Sequence, residues 1–384
     1  MNHRPAIFNL QAALQVLSDR TKVLPAIGGA TEDELRPDIE EIEDQHATQN
    51  DALLDEPYEI GNIQTYVPLT PLPRAQEHLF RYFQDGSMRS FFVGTALEHN
   101  RQTPVIIGQV GCAALQREDN GRLKLAGHSH LQQHNLLLVA FNQISTEVKQ
   151  SLVEIENKLG ASHRIVDIEV HGKEGQDLRN RAQDAMRKKM HEIETQTLWK
   201  VLDDDSRGWV IADGSMRFHR FNEEGKKRYG TMQPPIISVA KNFSRTPNFR
   251  VGRGAKSREI NLWQLLADLP EGHRTMAFKA ASMVFTVAVW YVRLRIKSFM
   301  EYPLMGVIKV ELPVLGADPP ASALINKLSN ALLAERTVTP HGVDRRWHAH
   351  LYPIFQAERF VKNRFTSIST LRAGLRWPPE NLRR

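Results

Sequence analysis

Trp209-Val210-Ile211-Ala212-Asp213-Gly214-Ser215-Met216-Arg217 is the stretch that decides the fold class. Four consecutive apolar residues followed by Asp-Gly-Ser read as a short buried β-strand that stops at a sharp turn. Glycine permits the turn, and the aspartate before it is left at the strand end with its carboxylate facing open space. The same five letters, Asp-Gly-Ser-Met-Arg, occur earlier at Asp85-Gly86-Ser87-Met88-Arg89. There the aromatic run Phe80 to Phe83 precedes them and Phe91-Phe92-Val93 follows. Taken singly, an Asp-Gly-Ser is an ordinary turn. Two copies at strand ends are expected to meet across neighbouring strands and to share a divalent cation.

Around these anchors the pattern alternates between strands and helices. Segments 90–97 and 104–115 are β-branched and aromatic, with Glu98-His99-Asn100-Arg101 between them, and so predict a hairpin. Asn120-Gly121 marks a further tight turn. Apolar residues spaced by three and four, from Leu178 through Met186 and Ile193 to Leu198, predict a long helix over 176–202. Ile236 to Ala240 reads as a strand ending at Lys241. A basic loop follows, holding Arg245, Arg250, Arg253, Lys256 and Arg258. Strands over 287–294 and 305–312 come next, the second ending in Glu311. Ser322 to Leu333 predicts a helix, and Pro353 suits the first turn of another. Near the N-terminus, Leu10, Ala13, Leu14 and Leu17 predict a short helix ending near Gly28-Gly29. Strands, a helix, more strands and then helices imply an α/β chain, a mixed sheet with helices packed on it.

Composition narrows the class. The 384 residues suffice for one large or two ordinary domains, and 41% apolar with 24% charged residues is the balance of a globular protein. A single cysteine, Cys112, excludes an intramolecular disulfide and a cysteine zinc cluster, and reads as a small core residue in a reducing compartment. The longest uncharged apolar run, Ala280 to Val292, is 13 residues, short of the roughly 20 needed to span a bilayer. With no signal core at the N-terminus, the expectation is a soluble, cytoplasmic chain with no membrane partner. Between residues 32 and 56 acids predominate, with Arg36 the one base. The tail beyond Arg359 is rich in arginine. The net charge of +6 and this basic tail suit a polyanion such as DNA.

The carboxylates give the chemistry. Magnesium and manganese prefer hard oxygen ligands, so a metal-assisted phosphodiesterase needs clustered acids. Asp85 and Asp213 lead. The predicted helix before the second Asp-Gly-Ser adds Glu194, with Glu192 as the alternative register. Near the C-terminus, His348-Ala349-His350-Leu351-Tyr352-Pro353 and then Glu358 set a histidine and a carboxylate around a helix start.

In this order, the motifs resemble the NurA nuclease family, DNA-end-processing partners of the hexameric HerA translocase. The likeness runs from about residue 80 to 365. It comprises an early Asp-Gly-Ser, a glutamate on a long helix and a strand ending in Asp-Gly-Ser. A strand ending in lysine follows, then Val307-Ile308-Lys309-Val310-Glu311-Leu312-Pro313, then Tyr352-Pro353. The resemblance implies a ribonuclease-H-like mixed sheet flanked by helices over 75–384, preceded by an acidic N-terminal extension and Pro-rich lead-in over 1–74. It implies a divalent-metal-dependent DNA nuclease, exo- or endonucleolytic, that forms homodimers and works with a HerA-type hexameric ATPase in DNA end processing, repair or antiviral defence. Asp85, Asp213, Glu194 and Glu358 would hold Mn²⁺ or Mg²⁺. Lys241 falls where the family has a strand-end lysine. His350 takes the place of the family's first tyrosine, and Glu358 the place of its terminal histidine. Arg245, Arg250, Arg253, Lys256 and Arg258 would track the DNA backbone. Without a Walker-type Gly-x-x-x-x-Gly-Lys-Ser/Thr run, ATP-driven movement would come from the partner. A catalytically weak DNA-binding or docking subunit is the alternative, and an RNA-directed Argonaute-type slicer would need a longer chain.

Overall fold

One long hairpin organises the sheet. In the computed structural model, the described residues are 5–32, 53–54, 57–62, 64–73, 78–168, 177–204, 208–216, 222–241, 243, 248–251, 258–281, 286–295, 302–338 and 347–377. The first of these supply α1 (Gln11–Arg20), β1 (Lys22–Pro25), β2 (Thr31–Glu32), β3 (Leu53–Leu54) and β4 (Tyr66–Pro68). The hairpin is β5 (Phe80–Glu98) with β6 (Arg101–Arg117), closed at Glu98↔Arg101 as the polar break in the sequence predicts. The chain continues through β7 (Leu123–Leu125), β8 (Leu131–Val139), α2 (Thr146–Lys158), β9 (His163–Asp167), α3 (Leu178–Asp204), β10 (Trp209–Asp213), α4 (Asn222–Tyr229) and β11 (Ile236–Ala240). The remainder is β12 (Asn248–Val251), β13 (Arg258–Asn261), α5 (Leu262–Ala267), β14 (His273–Thr275), β15 (Phe278–Ala281), β16 (Thr286–Arg293), β17 (Val307–Val314), α6 (Ser322–Glu335), α7 (Tyr352–Lys362) and α8 (Ile368–Gly374).

The large sheet runs β4-β14-β16-β17-β11-β10-β5-β6-β8-β9, and β1, β2, β7 and β15 pair along its strands. At its centre β10 is parallel to both β5 and β11, while β5, β6 and β8 form an antiparallel meander. The helical crossover through α3 is what brings β10 back alongside β5 in the parallel sense. The segment 1–74 contributes α1, β1, β2 and β4 to this same body.

Period-two alternation sorts the side chains onto two faces. Phe83, Ile211, Val239 and Ile308 pack against Ile325 and Leu328 of α6 and Ile354 of α7. Further along that face, Phe91, Ile107 and Leu137 meet Leu14 of α1, Leu152 of α2 and Leu371 of α8. On the other face Val210 and Ala212 meet Leu198 of α3 and Leu265 of α5, and Val110 and Leu136 meet Met186 and Ile193 of α3. Each large apolar side chain fully buried in this way contributes roughly 1.5–3 kcal/mol, against about 0–1 kcal/mol for an exposed ion pair. Apolar packing therefore fixes the strand register, and with it the placement of the carboxylates.

Several expectations change. Asp85-Gly86-Ser87 is not a strand end: it lies inside the 19-residue strand β5, which runs straight through to Phe91-Phe92. Pairing with β6 through Asp85, Gly86 and Ser87, with β10 alongside as far as Gln84, keeps this segment extended where the sequence alone suggests a turn. The N-terminal helix stops at Arg20, because Lys22–Pro25 pairs with β5 as a strand. Glu311 sits mid-strand in β17, not at its end. Part of the basic loop is two paired strands, β12 and β13. Cys112 is buried in β6 opposite Gly86, as a core residue should be, and burial pushes its thiol pKa well up.

Candidate active site

The second Asp-Gly-Ser behaves as its sequence predicts. β10 ends at Asp213, and Gly214 adopts φ 87°, a left-handed conformation that favours glycine. The chain then crosses to the opposite face, where Ser215 Oγ donates to the carboxylate of Glu311 at 3.1 and 3.0 Å. The Met216 backbone N–H donates to Glu311 Oε2 at 2.8 Å, and Lys309 Nζ lies 3.0 Å from Oε1. Glu311 is completely buried and is the anchor of the turn. Its role escaped the sequence reading, although Lys309 and Glu311 at i and i+2 in an apolar strand must share a face.

On the α6/α7 face, Ala212 pairs with Gln84 across the parallel strands, so Asp213 and Asp85 come next, side by side. Lys241, just past the end of β11, reaches across and places Nζ 3.0 Å from Asp213 Oδ2. From above, α7 brings Glu358, which stands in the helix's second turn and not its first. Glu358 pairs with Lys362 one turn on, at 2.6 Å. His350, in the segment leading into α7, is buried, and its charge and that of Glu358 interact.

The electrostatics tie these groups together. Burial, then the negative charges of Asp213 and Glu358, raise the Asp85 pKa well above the carboxylate range, with Lys241 opposing and Glu194 adding a smaller push. Burial alone would depress Lys241, but Asp213, Asp85 and Glu358 outweigh it and raise its pKa. For Glu358, burial works upward, and Lys241, Lys362 and His350 together hold it below the usual glutamate value. Asp85 Oδ2 is buried and has no hydrogen-bond partner. A buried oxygen of this kind is costly unless something positive satisfies it.

Glu194 reaches the site from the other side of the sheet. The α3 helix lies on the face opposite α7, and the Glu194 carboxylate presses on the Cα of Gly86, where a Cβ would overlap it. Here glycine serves close approach, with no need for a left-handed backbone. Gln84 Nε2 donates to the Glu194 carbonyl at 2.8 Å, and His191 Nδ1 is 2.8 Å from Glu194 Oε2. Glu192 instead pairs with Lys189 at 2.8 Å, and of the two glutamates it is Glu194 that lies against Gly86, next to Asp85. The i, i+3 spacing of His191 and Glu194 was a visible signal for that contact.

Hard carboxylate oxygens, one of them buried and unsatisfied, are a donor set suited to Mn²⁺ or Mg²⁺. Yet among the described residues no three His, Cys, Asp or Glu side chains converge tightly enough to form a ready-made metal cluster. Lys241 is the cation that Asp85, Asp213 and Glu358 share. Of the expected DNA contacts, Arg245, Arg253 and Lys256 lie outside the described residues, and Arg250 and Arg258 are placed only as backbone, in β12 and β13. No helix among the described residues is long and apolar enough to cross a membrane.

Compared with protein-family models and with curated proteins, the chain matches none.

Proposed function

We propose that this chain is a divalent-metal-dependent deoxyribonuclease of the NurA type, with a ribonuclease-H-like sheet, cutting DNA in concert with a HerA-type hexameric ATPase. The observation that carries the reading is the juxtaposition of Asp85 and Asp213, each following the last residue pair of two adjacent parallel strands, with one oxygen of Asp85 buried without a partner and Lys241 close by. Excess buried negative charge is expensive in the protein alone and is relieved by a cation. The antiparallel meander with parallel strands added at β5 supports the fold assignment.

Asp85 and Asp213, with Glu194 and Glu358, would hold Mn²⁺ or Mg²⁺. Such an ion supplies Lewis acidity toward the scissile phosphate and a lowered pKa for an attacking water. Lys241 neutralises charge that develops on the phosphorane. His350 or Glu358 orients the water or takes its proton. The basic segment 241–258 and the arginine-rich tail would grip the backbone without regard to sequence, and two copies of the chain would present paired sites to DNA delivered by the ATPase. DNA end repair and defence against invading DNA both fit such an assembly.

A second reading is a DNA-binding or docking subunit that does not cut. The Lys241–Asp213 ion pair favours it, because an internal ammonium already balances part of the carboxylate charge. Linear and circular DNA incubated with the chain, with and without Mn²⁺ and beside Asp213→Ala, separate the two. Mn²⁺-dependent loss of linear DNA that Asp213→Ala abolishes supports the nuclease. DNA retention without cleavage supports the docking subunit.

A further inference from the structure

Away from the carboxylates, a cavity of about 500 Å³ opens between β9 and α3. β9 is the last strand in the described order of the large sheet, so the cavity lies at the sheet's margin. Its strand wall is Arg164, Ile165 and Val166, and its helix wall includes Arg181, Lys188 and Lys189. Positions 181, 184, 185, 188, 189 and 192 recur at three and four, so one continuous face of α3 looks into the space. Glu194 belongs to a different face of the same helix, against Gly86.

The lining has two characters. Val166 and Ala185 provide an apolar patch, Ile165 turning its side chain to the opposite face with Leu137, while the cations cluster at α3 and on Arg164. Each acid in the wall has a partner, and that of Glu192 is itself a wall residue. Glu192 is held by Lys189 at 2.8 Å, Asp184 lies 3.5 Å from Arg187, and Asp167 Oδ1 accepts the Phe141 N–H at 2.8 Å. Arg181 is only 9% exposed, so its guanidinium is held in place rather than free to wander in solvent. The neighbouring His134 lies among the same cations: burial first, then Lys189, Arg164 and His163, lower its pKa to about 4. A buried, pre-oriented arginine beside further cations is the usual chemistry for a phosphate, since its planar fork matches phosphate oxygens. The adjoining apolar patch suits a flat, uncharged body.

We propose that the cavity between β9 and α3 binds a nucleoside phosphate, its phosphate on Arg181, Arg164 and Lys188 and its base against Val166 and Ala185. This site is separate from the carboxylates, and the proposal stands whether or not the chain cuts DNA. The experiment is isothermal titration of the full chain with AMP, ATP, inorganic pyrophosphate and adenosine. Wild type should bind AMP or ATP saturably, and bind adenosine at least tenfold more weakly. Arg181→Met keeps the length of the side chain and removes the fork, and should weaken nucleotide binding tenfold or more. If Arg181→Met fails to fold by circular dichroism, Arg164→Ala with Lys188→Ala takes its place with the same expectation. Asp213→Asn should bind as wild type does. The proposal is overturned if no nucleotide binds wild type, if the basic-residue variants bind like wild type, or if Asp213→Asn abolishes binding. Pyrophosphate binding as tightly as ATP would overturn the part assigned to the base.

Discussion

The ammonium of Lys241 lies 3.0 Å from Oδ2 of Asp213, joining the ends of two parallel strands that the chain reaches 28 residues apart in sequence. Neither residue is exposed enough for water to replace its partner, with 10% and 20% of their side chains accessible. The pair therefore ties the strand ends together and sets the charge that Asp85 and Glu358 encounter.

If the chain is the proposed nuclease, Asp213→Ala and Asp85→Ala should each abolish its Mn²⁺-dependent DNA cleavage. Deleting one carboxylate removes a ligand and a compensating charge at once. Digestion of linear DNA at the wild-type rate by either variant, with a wild-type circular dichroism spectrum, would show that the reaction occurs elsewhere.

Asp85→Asn should separate stability from activity. The ionised carboxylate is penalised by burial and by Asp213 and Glu358, so the neutral isostere should stabilise the metal-free protein by on the order of 1 kcal/mol. Thermal unfolding would record a rise of a few degrees. On the metal-binding proposal, added Mn²⁺ should raise the unfolding temperature of wild type and not of this variant.

Gly86→Ala should destabilise the fold by roughly 1–3 kcal/mol through overpacking, because its Cβ would collide with the Glu194 carboxylate. Glu194→Ala in the same chain should recover most of that loss. Denaturant unfolding of both single variants and the double variant measures the coupling; strict additivity would place the strain at some other neighbour.

Glu311→Ala should cost about 3–5 kcal/mol, since it strands the Lys309 ammonium and releases the turn held through Ser215 and Met216. The accompanying loss of DNA cleavage should exceed that of Gly214→Ala, which strains one dihedral and leaves the anchor in place.

His134 predicts an acid limb. Burial, then Lys189 and Arg164 with His163, lower its pKa from 6.5 to about 4. The unfolded chain therefore binds the proton first. The stability it contributes is complete above pH 6.5 and is lost as pH falls toward 4. Discounted for its partial solvent contact, the loss is on the order of 1 kcal/mol. His134→Gln should flatten urea midpoints across that interval; an unchanged slope would assign the acid limb to another group.

By itself the sequence determined some of the elements and their order. Ile236–Ala240, the 178–204 helix, the turn at Gly214 and the helix start at Tyr352-Pro353 were legible because each depends on local periodicity, a left-handed residue or a proline. It also marked Asp85, Asp213 and Lys241 at the ends of apolar runs, Glu194 on the long helix, and His350 and Glu358 around the C-terminal helix start. Only the tertiary structure decided which of these meet. The strand that carries Asp85 stays extended because β6 pairs with it through Asp85, Gly86 and Ser87 and β10 pairs with the residues just before, against the local turn signal of Asp-Gly-Ser. Asp85, Asp213, Lys241 and Glu358 share one face, while Glu194 comes through the gap left by Gly86 from the other, because alternation along β5 turns successive side chains to opposite layers. Burial of that face then raises Asp85 and binds Lys241 to its carboxylates, a consequence of low dielectric and proximity that no residue order can encode by itself.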